Sequence, residues 1–339
     1  MPEASILKGS NGIEKRGNVI LETRNLKKYF PVRSGLLHLR AGWVKAVDKV
    51  SLKVKKGETL GLAGESGCGK STFGKTVSGI YRPTEGEVYF QGERVDNLPA
   101  REMRDFHRNI QYLHQDPTFC LDPWWKIGKT IREPLVIHQK NLSKQEMNWK
   151  TQQILKAVGL EANHVIRYPH EFSGGQQRRI GLARILILNP SVIILDEPTS
   201  GIDISVQATI LNLFEKLKNE HNLTYIHISH NLSVIRSVSD RIGTVYLGRI
   251  VELGDAKSIW EEPLHPYTRI LYGAVPKVGS FRDEHRNTLT ITGEPPDPQD
   301  PPSGCHFHPR CPIAGKICSM EEPLLRDVDA TRKVACHMV

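Results

Sequence analysis

The residues best equipped for chemistry are Gly64-Glu65-Ser66-Gly67-Cys68-Gly69-Lys70-Ser71, followed by Thr72. Their spacing fits GxxxxGK[ST], a loop that cradles phosphates. Glycines let successive backbone N–H groups turn inward without a Cβ clash. Joined to a helix N-terminus, those groups form an anion site. Lys70 adds a full positive charge for β- and γ-phosphates, and Ser71 offers a hydroxyl to Mg²⁺. A short apolar run, Thr59 to Ala63, precedes the loop, and a helix is expected from Lys70 to Ile80. That strand–loop–helix context separates a phosphate site from a glycine turn with a chance lysine.

A second chemical group ends another apolar run. Val192-Ile-Ile-Leu195 delivers Asp196-Glu197 to the carboxyl end of a strand, where open α/β sheets bind ligands. Asp196 is placed to hold Mg²⁺, and Glu197 to polarise an attacking water as a general base.

Phe172-Ser173-Gly174-Gly175-Gln176 narrows the reading. It resembles the signature motif of ATP-binding-cassette (ABC) ATPases, with Phe where Leu is commoner. Gln115, in Leu113-His114-Gln115-Asp116-Pro117, resembles the Q-loop of that family. Ser200-Gly201-Ile202-Asp203 resembles the D-loop, and His230 the switch histidine. Phe30, or its neighbour Tyr29, resembles the aromatic that stacks on adenine. Two departures remove no catalytic group: Asn231 follows the histidine where Asp is usual, and the D-loop reads Gly-Ile for Ala-Leu.

The resemblance implies ATP as substrate, with Glu197, His230 and Gln115 catalytic and Ser71, Gln115 and Asp196 around Mg²⁺. It implies that Ser173, Gly174, Gly175 and Gln176 close over the nucleotide of a facing subunit. Physically, the Ser173 loop is a second phosphate nest at a helix start. One cassette per chain then implies a partner cassette.

The tail narrows the family further. Gly248-Arg-Ile-Val-Glu-Leu-Gly254, Pro263-Leu-His-Pro-Tyr267-Thr268, Ala274-Val-Pro276, Pro301-Pro-Ser-Gly-Cys305 and Arg310-Cys311-Pro312 resemble the ATPase subunits of oligopeptide and dipeptide importers. The likeness is to the second of their two unlike ATPases, the F-type subunit. It implies a heterodimer with a paralogous ATPase (or a homodimer), two transmembrane permease subunits and an extracytoplasmic substrate-binding protein. The place implied is the cytoplasmic face of the membrane, held peripherally. Nickel, haem or sugar is the alternative cargo. A soluble ABC ATPase of translation or repair is the alternative class, although those fuse two cassettes or carry a long coiled coil. No nucleic-acid partner is expected.

Cys305-x5-Cys311-x6-Cys318-x17-Cys336 sets four thiols in a proline-rich stretch. Four cysteines suit Zn(Cys)₄ or an iron–sulfur cluster. No CxxC pair is present, so the spacing leaves the metal open, and His306, His308 or His337 could replace a thiol. The importer resemblance implies a [4Fe–4S] cluster on the four cysteines, with zinc as the alternative. Cys68 and Cys120 read as incidental.

The elements that must position these groups alternate. Strands are expected at Val19–Phe30, Lys45–Val54, Thr59–Ala63, Ser191–Leu195, Thr224–Ile228 and Arg241–Tyr246, and a hairpin loop at Arg33–Gly42. Helices are expected at Gln145–Val158, Gly175–Leu188 and Val206–Glu220. Alternation argues for an α/β fold with a largely parallel sheet. With the resemblance, the expected fold is a P-loop NTPase core with flanking helices, an antiparallel β subdomain, a helical insertion and a small Cys-rich C-terminal module. The expected units are a flexible tail at 1–18, a nucleotide-binding domain at 19–255 with a helical subdomain near 116–175, and a C-terminal module at 256–339.

Composition excludes other classes. The 339 residues are 39% hydrophobic and 24% charged, with 28 Gly and 21 Pro. That is neither collagen-like, disordered nor a disulfide scaffold. No window approaches 18 consecutive apolar residues, and Met1 to Arg16 has no apolar core of a secretory signal, so a cytosolic protein is expected. The net charge of +9 is spread without a basic arm; from Ser280 onward 7 Lys/Arg face 9 Asp/Glu. Charge alone selects no partner.

Overall fold

The computed structural model describes residues 18–34, 39–115, 121–139, 141–275 and 293–339. The expected N-terminal tail thus lies outside the described residues except for Asn18, as do Asp116, Pro117 and Cys120.

Two sheets build the molecule. Strands β1 (Val19–Ser34) and β2 (Leu39–Lys55) form a long hairpin. After β3 (Thr59–Ala63), β4 (Glu85–Phe90) and β5 (Glu93–Arg94) complete an antiparallel sheet in the order β2-β1-β4-β5. Both hairpin strands run further than expected, into the stretch read as a loop at Arg33–Gly42; residues 35–38 lie outside the described set.

The main sheet takes β3 at its centre. It adds β6 (Ile110–Leu113), β7 (Val192–Asp196), β8 (Thr224–Ile228), β9 (Arg241–Tyr246), β10 (Arg249–Asp255), β11 (Arg326–Asp327) and β12 (Lys333–Val334), in the order β11-β12-β10-β9-β3-β8-β7-β6. The block from β9 to β6 is parallel, and the strands beyond β9 are antiparallel. Every residue of β3, β7 and β8 is buried, as expected for central strands covered on both faces.

Helices cover those faces. They are α1 (Lys70–Val77), α2 (Ala100–Asn109), α3 (Ile127–His138), α4 (Lys144–Ala157), α5 (Gly174–Leu186), α6 (Ile204–His221), α7 (Leu232–Val238), α8 (Ala256–Glu261), α9 (Pro266–Gly273) and α10 (Lys316–Met320). Helix α1 stops short of the expected Ile80, where Gly79 turns left-handed at φ 78°. The alternation of side chains along β7 divides the core. Val192 and Ile194 pack with the antiparallel sheet and Phe73 of α1. Ile193 and Leu195 pack with Ile131 of α3, Ile180 of α5 and Phe214 of α6. The helical insertion therefore sits on one face and the antiparallel sheet on the other.

The separate Cys-rich module expected after residue 256 is corrected by the pairing. Strand β12 bonds to β10, with Glu252 opposite Val334 and Leu253 opposite Lys333, so the C-terminal segment continues the main sheet. Fully buried Phe307 packs on Tyr246 of β9 and Tyr267 of α9. The edge of β10 offers unpaired backbone groups, and the segment satisfies them. Among the described residues no helix is long and apolar enough to cross a membrane.

Candidate functional site

The phosphate loop joins β3 to α1 and is shaped by backbone that only glycine accepts. Gly69 has φ 106°, and a Cβ there would lie 1.9 Å from the Ala46 carbonyl oxygen. A Cβ on Gly64 would lie 2.3 Å from the Val245 oxygen. Lys70 is buried, and its ammonium donates to the Gly64 and Glu65 carbonyls, each at 2.8 Å. The loop thus wraps its own cation. Burial pushes the Cys68 thiol up, and its Sγ lies 3.4 Å from that ammonium.

The strand end lies beside the loop. Ser71 Oγ donates to Asp196 Oδ1 at 2.9 Å. The other carboxylate oxygen of Asp196 accepts from the Tyr112 hydroxyl. Burial, then the Asp196 charge, raise the Tyr112 pKa far above the usual phenol range, so the hydroxyl keeps its proton. Glu197 has left-handed backbone at φ 47°, and its N–H donates to the Ile228 carbonyl at 2.9 Å. Glu197 Oε1 is 2.9 Å from His230 Nδ1, and Oε2 accepts from Gln115 Nε2 at 3.2 Å. Asn231, in place of the usual Asp, caps α7 by accepting from the N–H groups of Ser233 and Val234.

A cavity of about 510 Å³ opens over these groups. Ser66, Gly67, Cys68, Gly69, Lys70, Ser71, Thr72, Gln115, Glu197 and His230 line it, as do Lys45 and Pro298. Its size and polar mouth suit a nucleotide. The donors suit Mg²⁺: the Ser71 hydroxyl and the Asp196 carboxylate are hard oxygen ligands in contact with each other, and Gln115 lines the same cavity as Ser71.

The structure leaves other expected residues elsewhere. Tyr29 and Phe30 do not line the cavity. Tyr29 gives its hydroxyl to Asp48, and Phe30 rests edge-on against Tyr81 with ring centroids 5.4 Å apart. Ser173 to Gln176 do not line it either. Ser173 and Gly174 are exposed, and Ser173 begins α5 with a capping box to Gln176. Asp203 is exposed at the start of α6. Arg178 of α5 links these places, donating to the Pro198 carbonyl at 2.7 Å and the Ser200 carbonyl at 2.6 Å. No sequence rule marked Tyr112 or Arg178, because their roles come from contacts between distant segments.

Cys305, Cys311, Cys318 and Cys336 are free thiols. Burial pushes the Cys305 thiol up to about 11, with the other three thiols adding to the rise. Burial likewise raises Cys311 and Cys336. Among the described residues no group of three or more His, Cys, Asp or Glu is arranged to hold a metal ion. Cys305, Cys311, Cys318 and Cys336 do not form the compact donor set of the expected zinc or iron–sulfur site.

Residues 47–200 match the family described as ABC transporter, and residues 251–318 match the oligopeptide/dipeptide transporter C-terminal region. The chain is 48% identical over 320 residues to the oligopeptide transport ATP-binding protein AppF of Bacillus subtilis, covering 94% of this chain and 97% of that one. It is 42% identical over 320 residues to OppF of Salmonella typhimurium, covering 93% and 95%. Among solved structures, the ATP-binding cassette MJ0796, described as a dimer in a post-hydrolysis state bound to ADP and Pi, superposes with a TM-score of 0.62 at 28% identity. That match covers 70% of this chain and 99% of the other. The chain belongs to the ABC-transporter ATPases, in the family of oligopeptide/dipeptide transport ATP-binding proteins.

Proposed function

We propose that this protein binds and hydrolyses ATP to energise a membrane importer of di- or oligopeptides. The observation that carries the catalytic part is the held Glu197 carboxylate, pinned by His230 and Gln115 at the mouth of the phosphate-loop cavity. The loop N–H groups from Ser66 to Thr72 bind the phosphates. Lys70 leaves the Gly64 and Glu65 carbonyls and turns its charge to the β- and γ-phosphates. Ser71, Asp196 and Gln115 hold Mg²⁺, which when bound neutralises phosphate charge. Glu197 accepts a proton as the water oxygen bonds to the γ-phosphorus; the bond from that phosphorus to the β–γ bridging oxygen breaks, its electron pair leaves with ADP, and inorganic phosphate is released. His230 orients Glu197 and touches the γ-phosphate.

The exposed Ser173 nest supports an arrangement in which each chain covers its partner's nucleotide. Closure on ATP and reopening after hydrolysis then drive the permeases through the α3–α5 face. The partner is a paralogous ATPase or a second copy, bound with two permeases at the cytoplasmic face and fed by an extracytoplasmic binding protein. The relatives' names support the peptide cargo. The organisation proposed is a nucleotide-binding domain at 19–255, with a helical subdomain near 116–175, followed by a C-terminal region.

The decisive experiment is Glu197→Gln. It is expected to keep ATP binding, stop turnover and trap a closed dimer; near-normal turnover rejects the general-base role. A [4Fe–4S] cluster on the four cysteines is an expectation drawn from the family likeness. Anaerobically purified protein that is brown and loses its colour on Cys311→Ser supports it, and colourless, iron-free protein ends it.

A further inference from the structure

Glu65 is the second residue of the phosphate loop, and each of its polar groups is held. Its N–H donates to the Tyr267 hydroxyl at 2.9 Å, and its carbonyl accepts from Lys70 at 2.8 Å. Its carboxylate accepts two bonds from Arg310, at 2.9 and 3.0 Å. Arg310 lies 245 positions along the chain and is buried. It also donates to the Tyr246 hydroxyl at 3.3 Å. Phe307, packed on Tyr246 and Tyr267, anchors the turn that carries Arg310, and Cys311 follows directly. The C-terminal segment also reaches the cavity, where the Pro298 carbonyl accepts from the Lys45 N–H at 3.1 Å.

A paired guanidinium and carboxylate fixes geometry more tightly than a single bond. A loop whose N–H groups already point at the phosphates loses less freedom on binding. We propose that Arg310 is a positioning residue of the phosphate loop: through Glu65 it sets the aim of the loop's N–H groups, so the C-terminal segment governs affinity for ATP. Arg310 touches no reacting atom, so its effect falls on binding rather than on the hydrolytic step. The proposal rests on the ATPase reading above.

The test compares full-length wild type with Arg310→Met, Arg310→Lys, Glu65→Gln and the double variant Arg310→Met/Glu65→Gln. KM for ATP, kcat, ADP binding by equilibrium dialysis and the thermal midpoint are measured. Arg310→Met is expected to raise KM and the ADP dissociation constant about tenfold, the scale of one charge-assisted contact, with kcat within about twofold. Arg310→Lys recovers part of the loss, and the double variant is no worse than the weaker single variant. Unchanged KM with a lowered thermal midpoint reduces the pair to a structural tie and overturns the proposal. So do single effects that multiply in the double variant. Should Arg310→Met fail to fold, Glu65→Gln probes the same contact with the C-terminal segment intact. Wild type that turns over no ATP removes the ATPase reading and this proposal together, whereas normal turnover with unchanged KM in the variants removes this proposal alone.

Discussion

The Tyr112 hydroxyl donates to Asp196 while Ser71 occupies the other oxygen of the same carboxylate. Register explains the meeting. Tyr112 pairs with Ile194 across parallel strands, so its side chain shares a face with Ile194 and with Asp196 two residues on. The aspartate is therefore aimed from both sides before any cation arrives.

Removing that aim has a defined cost. Tyr112→Phe keeps the ring and deletes one bond to a charged acceptor, worth about 1.5–3 kcal/mol. The expected outcome is a Mg²⁺ requirement raised about tenfold, with ADP binding in the absence of Mg²⁺ unchanged. Steady-state ATPase rates across a Mg²⁺ titration check it, and an unshifted curve contradicts the positioning role.

Arg178 ties α5 to the segment after Glu197 through two backbone carbonyls. Arg178→Lys cannot span both. ATP binding is expected to stay within about twofold while turnover falls about tenfold, since only the link between the signature helix and the catalytic segment is cut. Equilibrium binding measured beside kcat separates the two effects.

Gly69→Ala forces a Cβ to within 1.9 Å of the Ala46 oxygen and asks an L-residue to hold φ 106°. The strain exceeds about 3 kcal/mol, and the loop must open to relieve it. Loss of nucleotide binding and a lower thermal midpoint are expected, read by dialysis and by calorimetry.

Acid sensitivity follows from buried histidines. Burial lowers His265 to about 3 and His227 to about 4. In the unfolded chain both titrate near 6.5, so between those values and 6.5 the unfolded state binds more protons. Their neutral forms contribute full stability above about pH 6.5. That stability drains as pH falls towards 4 and then 3, by about 1–2 kcal/mol per histidine at pH 5. His265→Asn, which can keep the bond His265 accepts from the Tyr267 N–H, is expected to flatten the fall. Thermal midpoints at pH 7.5 and 5.0 for both proteins decide it.

Part of this site was legible from residue order because its chemistry is local. A backbone cradle needs glycines at fixed offsets from one lysine, and a fully buried strand needs an unbroken apolar run before its acid. Gly64 to Ser71 and Val192 to Glu197 carry both rules in contiguous sequence. The capping box at Ser173 is equally local. Tyr112, Arg178 and Arg310 were not legible, since each acts on a partner far along the chain. The two aromatics expected at adenine, Tyr29 and Phe30, make contacts that residue type does not announce: the hairpin register gives Tyr29 to Asp48 and sets Phe30 against Tyr81. Among strands, β12 escaped because its two residues gain order only from their neighbours in the sheet.

The pairing of β12 with β10 also acts as insulation. A chain trimmed before Lys333 would present the rim of its largest sheet as a bare template. Recruitment of a like rim from another copy is the expected fate, so the final residues protect the protein from clumping while it waits for its membrane partners.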